Sequence, residues 1–188
     1  MEISLIRHGK SKHVDNNLMT CMEFQGWVEK YDRSGVFEEK YYPSLALEKI
    51  AAANLIITSD LKRSIESASL LNPNIKAIVD KLYREVELPV LPRIAGVKLS
   101  PASWAVMLRC LWFIGYSRQC ESIARAKQRA KLAAEQLVKQ AEDHHSVVLV
   151  GHGFFNRFIA KELKKMGWEG KRKSSAKHWH CTTYSLTI

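Results

Sequence analysis

Short β-branched runs separated by helix-length stretches constrain this chain more than any other feature. Glu2 to Ile6 (EISLI), Asn54 to Ser59 (NLIITS), Ile75 to Asp80 (IKAIVD) and Ser146 to His152 (SVVLVGH) read as strands. The first, second and fourth are apolar enough to be central, with both faces covered. Ser44 to Ala53, Asp60 to Leu71, Cys120 to His145 and Phe154 to Gly167 carry helical periodicity. In the third of these, Ile123, Ala130, Ala133, Ala134, Leu137 and Val138 make an apolar stripe opposite the Lys and Arg side chains. Ser44 and Asp60 stand where they can cap the helices that follow. Cys181 to Ile188 alternates like a last strand. Strands separated by helices predict an α/β fold, a three-layer α/β/α sandwich with a central, mostly parallel sheet. No repeat or low-complexity linker divides the chain, so residues 1–188 are expected to form one domain, with a lid or insertion at about 86–118 over the site.

Bulk properties narrow the function classes. A chain of 188 residues with 46% hydrophobic and 26% charged residues can bury a proper core and has no signature of disorder. Cys21, Cys110, Cys120 and Cys181 lack CxxC spacing, and the opening MEISLIRHG has none of the marks of a signal peptide; a reducing, cytoplasmic setting is expected. The longest apolar segment, Trp104 to Tyr116, is broken by Arg109 and falls short of the roughly 20 residues a membrane span needs. A net charge of +10 favours anionic partners in general. Much of that charge lies between Lys161 and Lys177, which reads as a solvated helix end and loop; without a reading module or interleaved aromatics, no specific nucleic-acid binding is expected.

Open α/β sheets bind ligands beyond the carboxyl ends of their strands. That rule brings three junctions together: Arg7-His8-Gly9, Ser59-Asp60, and Gly151-His152-Gly153. At the first, an imidazole with one nitrogen fixed by a carbonyl offers the other as a nucleophile, and the Arg fork matches phosphate oxygens. The second leads into a helix whose early residue Arg63 can swing back to the strand ends, while its neighbour Lys62 points elsewhere. At the third, His152 repeats the setting of His8, and the helix after it offers free N–H groups to an anion. Together these features point to phosphate chemistry.

LIRHGKS, ITSDLKRSIESA and VVLVGHGFFNRF occur in the order and approximate spacing of the histidine phosphatase superfamily, the phosphoglycerate-mutase-like family, which the chain resembles over most of its length. The resemblance implies a phosphomonoesterase acting through a covalent phosphohistidine at His8. It places Arg7, Arg63 and His152 around the phosphoryl oxygens, His152 also stabilising the transition state, with Ser11 and Gly153 beside the phosphate. It implies no metal and no cofactor. The stretch LYREVELP resembles the part that carries the general acid, and Glu85 fits it better than Glu87. A carboxyl beside an anionic phosphate keeps its proton and can then serve as acid and afterwards as base. After RHG, Lys10, Ser11 and Val14 depart from the common pattern, with Asn16 and Asn17 displaced, and LPVLPRIAG replaces the usual Gly and Trp-Glu-Gly pattern. Those changes fall on the leaving-group side and weaken the case for a mutase, one of two rival readings; the other is a silent phosphate-binding regulatory module.

The expected partner is a phosphorylated small molecule or phosphoprotein. Two further groups bear on function. His178, His180 and Cys181 are ligand types, yet no second pair at metal-binding spacing accompanies them. Trp104, Leu108, Leu111, Trp112 and Phe113 suit a core or pocket lid, with an oligomer contact as the alternative.

Overall fold

The structure, a computed structural model, describes residues 1–74, 76–92, 96–171 and 177–187. Six strands form one sheet: β1 (Glu2–Arg7), β2 (Leu55–Thr58), β3 (Ile78–Val79), β4 (Ser146–Gly151), β5 (Glu169–Gly170) and β6 (Cys181–Ser185), in the order β3-β2-β4-β1-β6-β5. β1, β2, β3 and β4 pair in parallel, and β6 returns antiparallel beside β1. The helices are α1 (Cys21–Arg33), α2 (Ser44–Ala51), α3 (Lys62–Leu71), α4 (Pro101–Phe113), α5 (Ile123–His144) and α6 (Gly153–Lys165).

Alternate residues of the central strands feed two cores. Ile3, Leu5, Ile57, Val147 and Leu149 face α5 and α6; Ile6, Ile56, Val148 and Val150 face α2 and α3. This period of two, buried on both sides, is what a parallel strand between two helical layers requires. On α5 the buried stripe is Ala126, Ala130, Ala133, Ala134, Leu137 and Ala141, small residues that let the helix lie close to the sheet; Ile123 and Val138 flank it, partly buried. The expected three-layer α/β architecture is therefore present.

Several local expectations are corrected. Asp60 does not cap α3: Leu61 holds that position without a side-chain bond, and the Asp60 carboxylate takes the Arg84 guanidinium instead, at 2.6 and 2.7 Å. Ser44 is the first residue of α2, behind Pro43. The third strand shrinks to a two-residue pairing at Ile78–Val79 on the sheet edge, where both side chains stay exposed, and Ile75 lies outside the described residues, as do Ile188 and residues 172–176 of the basic stretch. His178 and Trp179 form a turn that leads into β6.

Two helices go beyond the periodicity reading. α1 starts with a capping box in which Thr20 accepts from the Glu23 N–H and the Glu23 carboxylate accepts from the Thr20 N–H. α4 starts at Ser100 and Pro101, within the stretch expected to be irregular. Between them Met19, Cys21, Phe24, Trp104 and Leu108 form a third, separate apolar cluster. Trp112, by contrast, belongs to the main core against α5 and α6.

Candidate active site

Register alone brings the two His-Gly junctions together. Arg7 pairs with Gly151 across the parallel β1–β4 ladder, so His8 and His152 leave the sheet at one level. The His8 N–H donates to Gly151 O at 3.0 Å, and the imidazole centroids lie 5.1 Å apart. Thr58 pairs with Val150 on the other side of β4, which carries Ser59 to within 2.6 Å of His152 Nε2.

Hydrogen bonds fix both rings. His8 Nδ1 lies 2.7 Å from Gly9 O; a carbonyl can only accept, so the ring proton sits on Nδ1 and leaves the Nε2 lone pair unprotonated. Ser59 Oγ already accepts from the Leu61 N–H, so its own proton can go to His152 Nε2. That arrangement puts the His152 ring proton on Nδ1, which is buried and has no hydrogen-bond partner. His8 and His152 are 3% and 0% exposed, and burial together with the Arg63 guanidinium holds both well below the ordinary histidine range. Neutral imidazoles result, His8 with a free Nε2 lone pair and His152 with its Nδ1 unpartnered.

The arginines close the same space. Arg63, on the first turn of α3, is 3% exposed; Nη1 donates to Asp32 Oδ1 at 2.7 Å, and Nε is buried without a partner. Lys62 points outward and pairs with Glu66 at 3.6 Å. Arg7 lies across the start of α6, where a Cβ on Gly153 would come within 3.2 Å of its Nε. Its field reaches both His8 and His152. Buried donors without partners are uncommon in folded proteins and mark a place for an acceptor. Two imidazoles and two guanidiniums thus gather at the carboxyl ends of β1 and β4.

Glu85 sits on the neighbouring loop, half-buried. Its carboxylate accepts from the N–H groups of Phe154 and Phe155 at 3.1 and 2.9 Å, capping α6, and it acts electrostatically on Arg7 and Tyr31. Arg109 of α4 braces this loop by donating to Val86 O and Glu87 O at 2.8 and 3.2 Å. Glu87 itself is exposed, so Glu85 is the carboxylate that faces the pocket. Arg84, next to Glu85 in the chain, pairs with Asp60 rather than with that carboxylate. Ser11 is buried, and its hydroxyl accepts from the His13 N–H at 3.2 Å.

Other contributors have no signal in the motifs. His178 Nδ1 donates to His8 O at 2.9 Å, with its ring 5.5 Å from that of His8, and Trp179 lies against Gly9 so closely that a Cβ there would fall inside the indole. Tyr31 and Asp32 reach Arg63 from α1. An aromatic spacing at 24, 27 and 31 behind a Thr-x-x-Glu cap is the available clue to that helix. Among the described residues no cluster of His, Cys, Asp or Glu is suited to hold a metal ion, and no helix is long and apolar enough to cross a membrane.

Fold and site define an α/β protein with a buried, cationic cluster built on paired His-Gly strand ends. The model for the histidine phosphatase superfamily (branch 1) matches residues 3–188, and the chain belongs to that superfamily. Among solved structures of the same fold is the product of a Mycobacterium tuberculosis open reading frame, Rv3214, 13% identical, with a TM-score of 0.63 over 100% of this chain and 95% of that one. A mycobacterial glucosyl-3-phosphoglycerate phosphatase is 18% identical, with a TM-score of 0.55 over 87% of this chain and 79% of its own. The Entamoeba histolytica phosphoserine phosphatase, solved with 3-phosphoglyceric acid, is 14% identical, with a TM-score of 0.57 over 97% of this chain and 89% of its own. No curated protein sequence matches the chain.

Proposed function

We propose that the protein is a phosphomonoesterase that works through a phosphohistidine at His8. The convergence of an unprotonated His8 Nε2 with unpartnered, buried donors on His152 and Arg63 carries this reading. An incoming phosphate ester would lay its non-bridging oxygens against Arg7, Arg63 and His152, where fixed charges and dipoles act without reorganising. His8 Nε2 then forms the N–P bond as the P–O bond to the leaving group breaks, and Glu85 delivers a proton to the departing oxygen. In the second half, water gives its proton to Glu85 and its oxygen to phosphorus; the N–P bond breaks, releasing orthophosphate and restoring His8. The start of α6 holds Glu85 through the Phe154 and Phe155 N–H groups, which fixes the carboxyl beside the incoming ester.

Two of the structural neighbours are phosphatases named for phosphorylated metabolites, glucosyl-3-phosphoglycerate and phosphoserine. We propose a phosphorylated metabolite or phosphoprotein as the substrate class here. The test is orthophosphate release from an aryl phosphate together with trapping of the enzyme by base quench. Wild-type protein is expected to release phosphate steadily and to keep a label that survives alkali and is lost in acid, and His8→Ala to lose both. Undiminished turnover in His8→Ala would overturn the assignment.

A further inference from the structure

Arg63 is held by more than the strand ends. Asp32 takes its Nη1 at 2.7 Å, and the Tyr31 ring lies against its guanidinium face, 4.7 Å from centroid to Cζ, while Nε stays buried and unpartnered. Both residues come from the last turns of α1, outside the strand-end junctions read from the sequence. Behind Tyr31 runs a ladder of rings: Trp27 at 5.2 Å and 14°, Phe24 at a further 5.8 Å and 13°, and Trp104 of α4 at 6.3 Å and 27°. Trp104 is fully buried and donates its indole N–H to Met19 O at 2.7 Å, so the far end of the ladder is fixed.

A guanidinium can grip two oxygens along either of two edges, Nη1–Nη2 or Nε–Nη2. Asp32 occupies the first edge through Nη1, and Tyr31 blocks rotation out of plane. We propose that Asp32 and Tyr31 are positioning residues for phosphoryl transfer: they commit Arg63 to present its Nε–Nη2 edge to the phosphoryl group, with the aromatic ladder from α4 as the brace. The proposal builds on the phosphomonoesterase reading. It locates a determinant of transition-state geometry in the helix beside the pocket. Because a trigonal-bipyramidal phosphorus is more demanding of donor direction than a ground-state ester, loss of the clamp acts on kcat more than on KM.

Kinetics on an aryl phosphate and titration with orthovanadate and orthophosphate test this on the full chain. The Asp32 side chain is 43% exposed and helical, so Asp32→Ala suits the backbone. That variant is expected to lower kcat about 10- to 100-fold with KM within about threefold, and to weaken vanadate binding about tenfold with orthophosphate binding within about threefold. Asp32→Asn, which keeps an acceptor, should lose less. Tyr31→Phe keeps the ring and should retain kcat within about twofold, whereas Tyr31→Leu should lose about tenfold. In an Arg63→Lys background, which has no second edge to orient, Asp32→Ala should cost less than about twofold more. Wild-type kcat in Asp32→Ala, equal damage from Tyr31→Phe and Tyr31→Leu, or an undiminished Asp32→Ala loss in the Arg63→Lys background would each overturn the clamp while leaving the phosphatase reading intact. A wild-type chain that neither turns over aryl phosphate nor binds vanadate would instead overturn that reading, and the clamp with it.

Discussion

The floor of the pocket and its aromatic flank are built by different means. The floor is set by backbone: the Arg7 to Gly151 register, the His8 N–H on Gly151 O, and Asn156, which accepts from the His152 N–H and donates to Ile6 O. Ser67 adds to this by accepting from the Gly9 N–H. The flank, made of α1 and α4, is tied by the small cluster of Met19, Cys21, Phe24, Trp104 and Leu108 and one isolated bridge between Met19 and Leu99. Arg7, His8 and His152 thus sit at the ends of a ladder that cannot shift without breaking the sheet, while Arg63, on α3, is held from the flank by side-chain contacts with Asp32 and Tyr31. Such a division lets the flank be rebuilt while the strand-end floor is kept.

The sharpest way to break the contrast is at the floor. Gly9→Ala puts a methyl into the Trp179 indole, and the turn carrying His8 has to move. Activity toward every leaving group is expected to fall by more than about 100-fold, with about 1–3 kcal/mol of stability lost from overpacking. Retained kcat with an unaltered unfolding midpoint would show that the floor is looser than its hydrogen bonds indicate.

At the flank, Trp104→Ala empties the centre of the small cluster, a change of about 3–5 kcal/mol for a fully buried ring of this size. Its signature is expected to be local. Amides of α1 and α4 should gain hydrogen-exchange rate while those of β1 and β4 keep their protection, and orthophosphate affinity should stay within about threefold. Uniform loss of protection would mean that floor and flank unfold as one unit.

The smallest effect concerns pH. His8 and His152 are depressed in the folded protein from an ordinary value near 6.5, so above that value neither state binds a proton there and their contribution is complete. As pH falls below it, the unfolded chain takes up protons that the folded pocket refuses, and stability declines. The unfolding midpoint should therefore be level between about pH 7 and 8 and fall on acidification below about 6.5, with saturating orthophosphate reducing the slope by favouring charged imidazoles. A midpoint that rises on acidification through that window would contradict the buried neutral assignment.

What is legible in the sequence follows the same division. β1, β2, β4, α3, α5 and α6 carry clean apolar periods because each packs against the long central sheet, and the strand-end rule singles out Arg7, His8, Arg63 and His152 without reference to side-chain contacts. α4 is hidden because apolar residues lie all round it, with Ile114, Val106 and Phe113 exposed and Trp104, Leu108 and Trp112 buried, which leaves no single stripe to read. Tyr31, Asp32, His178 and Trp179 reach the pocket only through tertiary packing, and no local period encodes that. Asp60 looks like a helix cap, yet the Arg84 guanidinium competes for the same carboxylate and wins.

The strand that ends at His8 lies between β4 and β6, and both partners come from the far part of this sequence. Its carboxyl end has no sheet partners until residues around 146–151 and 179–185 are in place, and closing such long loops is slow. Assembly of the pocket is accordingly expected to be a late event in folding, so that the two imidazoles and their arginines meet only when the sheet around them is already whole.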